Sequence, residues 1–147
     1  LGDVYKRQVA MEKNTWFHLG RNSCEEILYC LRRIADPCEE HVDNNFVPLS
    51  KEQVKEYIPL SDTVLFLLRR TEKILQTDSY DEVDEVRREA EELKDCLEKA
   101  REAQMQRMQS SKENIAVAYL YLNLLQETRE LTSSLRHLLR ASKGFRE

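Results

Sequence analysis

Glycine stands at only three positions, 2, 20 and 144, and proline at three, 37, 48 and 59, in a chain of 147 residues. Turns and strand corners draw on these two residue types, so a chain this poor in them has little choice but long helices. The rest of the composition agrees. Charged residues make up 34% of the chain, and the apolar remainder is dominated by Leu, Val and Ala. Leu, Ala and the long charged side chains lose little rotamer freedom in a helix. The length suits a single domain able to bury a core without metal or disulfide support.

The spacing of apolar residues predicts four helices. Over Asn14 to Asp43, Phe17, Gly20, Cys24, Ile27, Leu31, Ile34, Cys38 and His41 recur at alternating steps of three and four, which is a packing seam. Pro37 inside that run predicts a kink or break near Asp36. Asn44 to Leu49 reads as the first loop. Ser50 with Gln53 matches a capping box and opens a second helix, whose seam is Val54, Tyr57, Ser61, Val64 or Leu65, Leu68 and Leu75, with a kink expected at Pro59.

Ser79 with Glu82 matches a second capping box, opening a third helix on Val83, Val86, Ala90, Leu93, Leu97 and Ala100. After a polar link from Ser110 to Asn114, the fourth carries Ile115, Ala118, Leu122, Leu125, Leu131, Leu135 and Leu138. Gly144 is the expected left-handed cap at its end. Short links between helices of this length favour antiparallel neighbours, so the expected fold is an all-α, up-down bundle of about four long helices.

The formal charge of -4 is mild, so the chain as a whole is not built for a polyanion. Local charge is less even. Acids crowd Asp78 to Glu92, whereas bases crowd Arg129 to Glu147, which predicts a basic end on the folded body. No apolar run reaches the roughly 20 residues that span a bilayer. The cysteines at 24, 30, 38 and 96 lack the Cys-x-x-Cys spacing of zinc sites. Cys24 and Cys38, on the seam of the first helix, read as small buried hydrophobes kept in a reducing compartment. The first eight residues, LGDVYKRQ, show no periodicity and resemble translated sequencing adapter, so the native domain is taken as residues 9–147.

Chemistry is sparse. Three glycines cannot supply a phosphate-cradling loop or a dinucleotide fingerprint, and the histidines at 18, 41 and 137 have no His-Glu-x-x-His spacing. The expectation is therefore a binding protein, not an enzyme, with no catalytic residues and no cofactor. Glu39, His41 and Asp43 are the candidate metal ligands, set against a plainer reading in which Asn44 or Asn45 closes the helix and His41 complements its negative end. Arg136, His137 and Arg140 are the candidate anion-binding residues, since guanidinium groups suit phosphate and carboxylate. Tyr119 and Tyr121 read as core and rim, because no basic residues surround them as a nucleic-acid platform would require.

The stretches LRRIADPCEEHVDNNFVPLSKEQVKEYI, Leu31 to Ile58, and AYLYLNLLQETRELTSSLRHLLRASKGF, Ala118 to Phe145, resemble the PhoU-like cytoplasmic C-terminal region of bacterial sodium/phosphate cotransporters. The resemblance implies a transmembrane transport domain upstream, with this bundle as a regulatory module at the cytoplasmic face of the inner membrane. Its partners would be that transporter domain or a signalling protein, with a homo-oligomer as a further option. A free-standing helical adaptor or oligomerisation module is the alternative. Many PhoU proteins carry paired acids that hold metal clusters. The comparable stretch here reads Thr128, Arg129, Glu130, Leu131, Thr132, which lacks the pair.

Overall fold

The computed structural model describes all residues 1–147. It is all-helical, as expected, with helices α1 (Gly2–Asp43), α2 (Lys51–Thr77), α3 (Val83–Ser110) and α4 (Ile115–Arg146), and a 3-10 turn over Tyr80–Glu82. None of the helices is long and apolar enough to cross a membrane.

α4 is the centre of the bundle. Residues from Val117 to Ala141 are buried on several of its faces, whereas each of the other helices buries one stripe. The pairings follow from this. Gly20 of α1 lies against Ala141 and Leu138, and Arg33 reaches Glu127 at 2.9 Å. On α3, Glu91 and Asp84 pair with Arg136 and Lys143 of α4. α2 meets α4 through Tyr57 and Thr128, and meets α3 through Gln53 with Gln104 and Arg70 with Glu89. The core cluster joins Val64, Leu67 and Ile74 of α2, Val83 to Ala100 of α3, and Tyr121 to Leu139 of α4, with Cys30 of α1.

The α3 seam is as expected: Val83, Val86, Ala90, Leu93, Leu97 and Ala100 are all buried. Those of α1 and α2 are rotated. On α1 the buried positions are Ser23, Cys30 and His41, while Phe17, Cys24 and Leu31 are exposed. The true seam keeps Gly20, Ile27, Ile34, Cys38 and His41 but takes Trp16, Ser23 and Cys30 as its other column. On α2 the centre of the buried face is Gln53, Leu67, Thr71 and Ile74 with the expected Val64; Tyr57 and Leu68 of the expected seam pack half-buried at its edge, and Val54 and Leu65 stay out. At the start of α4, Ile115 is exposed too.

Helix ends correct the sequence reading in several places. α1 begins at Gly2, not near Asn14, and its residues up to Gln8 are exposed. Both α1 and α2 run through their prolines without a break. The Ser50–Gln53 capping box is formed, with Gln53 N–H donating to Ser50 Oγ and Ser50 N–H to Gln53 Oε1. The Ser79–Glu82 box is not. Ser79 spends its hydroxyl on Thr77, the chain first makes the 3-10 turn, and α3 starts at Val83. The left-handed residue at that junction is Asp78, φ 53°. Gly144 is no cap either: α4 continues through it to Arg146, and no glycine has positive φ.

The local charge imbalance is also resolved. The acidic start of α3 and the basic end of α4 lie side by side, so Asp84 meets Lys143, Glu91 meets Arg136, and Asp78 meets Arg146. The expected basic end is largely neutralised by this ladder.

Candidate functional site

Two polar features stand out from an otherwise leucine-filled bundle. The first is an internal network where the start of α2, the end of α3 and the start of α4 meet. Gln53 and Gln104 are fully buried, and Gln53 Nε2 donates to Gln104 Oε1 at 3.2 Å. Gln104 Nε2 donates in turn to Glu113 at 2.7 Å, and Gln104 Oε1 accepts from Arg107 at 2.7 Å and 3.0 Å. Arg107 also bonds Glu56 at 3.1 Å, with Glu52 and Glu113 within 4 Å. Tyr121, fully buried, donates its hydroxyl to the same Glu56 oxygen at 2.5 Å.

The network is held to one protonation pattern. Burial opposes the Arg107 charge, but the hydrogen bond and field of Glu56, with Glu52 behind it, outweigh that and hold the guanidinium charged. Burial, and then Glu56, pushes the Tyr121 phenol well up, so it stays a donor. Tyr57 is raised chiefly by burial and meets Thr128 Oγ1 at 2.8 Å. Thr128 gives its own proton to the Leu124 carbonyl at 2.6 Å, so Tyr57 is the donor. Every member is satisfied by another, which fixes how three helices join. Periodicity could not reveal this network, because glutamine on an inward stripe reads as an interruption.

The second feature is a surface groove of about 540 Å³ between α1 and α4. Trp16, Asn22 and Glu26 line it from α1, and Ser134, His137 and Arg140 from α4. Of the three candidate anion-binding residues, His137 and Arg140 share this groove. Arg136 does not. One residue is about 100° of helix from the next, and Arg136 is turned to α3, where Glu91 takes it at 2.5 Å. The groove offers an indole face, an imidazole, a guanidinium and hydroxyls, together with the carboxylate of Glu26, which is paired with Arg33. That set can bind a planar or anionic group, with Trp16 as a wall that the seam assignment overlooked.

The candidate metal residues are not brought together. His41 is buried, but its Nε2 faces the Val47 carbonyl at 2.6 Å and its ring packs edge-on against Phe46. Glu39 and Asp43 are exposed, and no group of three His, Cys, Asp or Glu side chains is placed to hold a metal ion. The loop closes as a cap: Asn45 adopts φ 53°, and the Asn44 amide donates to the Glu40 carbonyl at 2.8 Å.

All four thiols are free, but not in the expected places: Cys24 is exposed, Cys38 half-buried, and Cys30 fully buried. Burial, reinforced by Glu26, pushes the Cys30 thiol up to about 11. None of the three imidazoles is hydrogen-bonded to a hydroxyl or thiol; His18 packs edge-on to Phe17. Tyr121 is core and Tyr119 rim, as the sequence suggested. No family model matches the chain, and neither a curated protein nor a solved structure matches it.

Proposed function

We propose that this chain is a PhoU-like cytosolic regulatory domain of a sodium-dependent phosphate transporter, arranged as an up-down bundle and acting by binding through its helix faces rather than by bond-making. The observation that carries the reading is where the two family-like stretches fall. Leu31 to Ile58 and Ala118 to Phe145 are far apart in sequence, yet they are in mutual contact. Arg33 pairs with Glu127, Asn123 donates to the Arg33 carbonyl, Tyr57 meets Thr128, and Tyr121 meets Glu56. Two stretches that resemble one family thus form one unit, as a domain borrowed whole would.

The up-down arrangement is supported by the order of the pairs. Trp16 and Gly144, then Gly20 and Ala141, then Arg33 and Glu127 run in opposite senses along α1 and α4. The binding mode is supported by the α1–α4 groove, whose His137 and Arg140 could receive an acidic segment of the transporter or a phosphate group. The genomic sequence preceding this reading frame is the test. It should encode several apolar segments of about 20 residues each, and cells carrying the joined protein without the bundle should regulate phosphate uptake abnormally. An upstream region free of such segments overturns the assignment.

A further inference from the structure

The column of α1 that the bundle leaves outside, which includes Phe17, Cys24 and Leu31 of the expected seam, has a pattern of its own. Phe17, Cys24, Leu28, Leu31, Ala35 and Val42 lie within one narrow sector of the helix at 100° per residue. All six are exposed, Leu28 by 67% and Val42 by 72%. A run of apolar side chains on one side of a helix, left uncovered, marks a contact surface.

The stripe is its own complement when reversed. Placed antiparallel on a second copy about an axis between Tyr29 and Cys30, it sets Leu28 against Leu31, Cys24 against Ala35, and Phe17 against Val42. The charges flanking the stripe meet one or two residues away from the exact mates of that reversal. Arg21 comes opposite Asp36 and Glu39, and Glu25 comes opposite Arg32, so each pairing is of opposite sign and occurs twice. In the single chain these groups are exposed, and the only ion pair among them is Arg21 with Glu25, both on the surface. An isologous contact requires that residue i meet j while j meets i; every heptad stripe meets this in its apolar spacing, and it is the order of the flanking charges that points to a second copy.

α2 extends the patch. Its α3-facing side carries Glu56 and Arg70, and its α4-facing side carries Tyr57. Val54, Ile58 and Leu65 lie further round, away from α3, and are exposed. At the opposite end of α1, Phe17 and Cys24 border a groove shared with Tyr80, which follows α2. Phe17 to Val42 spans ~37 Å of helix, and two helix widths give a patch of ~800 Å² per copy, the size of a standard specific interface.

We infer that the exposed face of α1, flanked by α2, is a two-fold dimer interface in which α1 packs antiparallel on the α1 of a second copy, with Glu25 opposite Arg32. The interface does not depend on the transporter assignment. Sedimentation equilibrium of the full chain at micromolar concentrations tests it, with far-ultraviolet dichroism confirming that each variant keeps its helices. The wild type should sediment at twice the 17.4 kDa chain mass. Glu25→Arg alone and Arg32→Glu alone should each weaken dimerisation about tenfold or more, because each creates two like-charge pairs. The double reversal should recover most of the loss, and Leu28→Arg should give monomer. A wild type that stays monomeric, or a dimer indifferent to Leu28→Arg, or a double reversal no better than the single ones, overturns the proposal.

Discussion

Gly144 lies directly beneath the indole of Trp16: a Cβ on Gly144 would stand 2.5 Å from Trp16 Cδ2 and 2.6 Å from Cε2. The glycine is there because α4 carries the ring of α1 on bare backbone, with ordinary helical geometry. Gly144→Ala gains about 1 kcal/mol of helix propensity. The displaced indole should more than cancel that, for a net loss of about 1–3 kcal/mol in urea unfolding. Trp16 is the single tryptophan of the chain, so its emission should shift in the same variant. Trp16→Leu should make Gly144→Ala tolerable; equal cost in both backgrounds would refute the contact.

Arg107→Met should destabilise the bundle by about 2–4 kcal/mol, since Glu56 and Gln104 would lose their charged partner while remaining half-buried or buried. Gln104→Leu should cost a similar amount, by stranding Gln53 and Glu113. The double variant should cost clearly less than the sum, because the two side chains serve one network. Chemical denaturation of the four-protein cycle measures this directly.

The two serines that look alike in sequence should behave differently. Ser50→Ala removes a hydroxyl that accepts from Gln53 N–H and should cost about 1 kcal/mol. Ser79→Ala removes one that meets only Thr77 and should stay within about 0.5 kcal/mol of wild type. Equal losses would mean that the start of α3 is capped after all.

Alkaline pH should loosen the core. Cys30 is pushed from 9.0 up to about 11, first by burial and then by Glu26. Tyr57 and Tyr121 are raised above 10.0, first by burial, Tyr121 also by Glu56. In each case folding favours the neutral form. That stability is whole below the ordinary value of the free group and declines as pH climbs toward the folded one. Denaturation midpoints should therefore hold to about pH 9 and fall above it, with Cys30 contributing on the order of 1–2 kcal/mol by pH 11. Cys30→Ala should flatten the first part of that decline. A midpoint that does not move up to pH 11 would contradict the burial of all three groups.

The legible parts of the fold were those that local chemistry decides alone. α3 could be read residue by residue, because charged flanks leave it only one apolar face. The Ser50 box is likewise complete within four residues. α1 has two adjacent apolar columns, and which one is buried depends on where α4 lies, a relationship across 94 residues at Arg33 and Glu127. The same distance hid the groove, which needs Trp16 beside His137 and Arg140. Arg136 was misgrouped because neighbours in sequence point to different sides of a helix. Its true partner, Glu91, stands on another element.

Because the last helix is the hub, the ribosome delivers the pieces in an awkward order. α1 is complete long before its main packing partner exists. At 5–20 residues per second the 94 residues between Arg33 and Glu127 take roughly 5–20 s to synthesise. During that interval Cys30, Ile27 and Ile34 have nothing to cover them but each other or another nascent chain. Efficient production of this protein should thus depend on holding chaperones, and slowing translation between α1 and α4 should lower its soluble yield more than slowing it within α1.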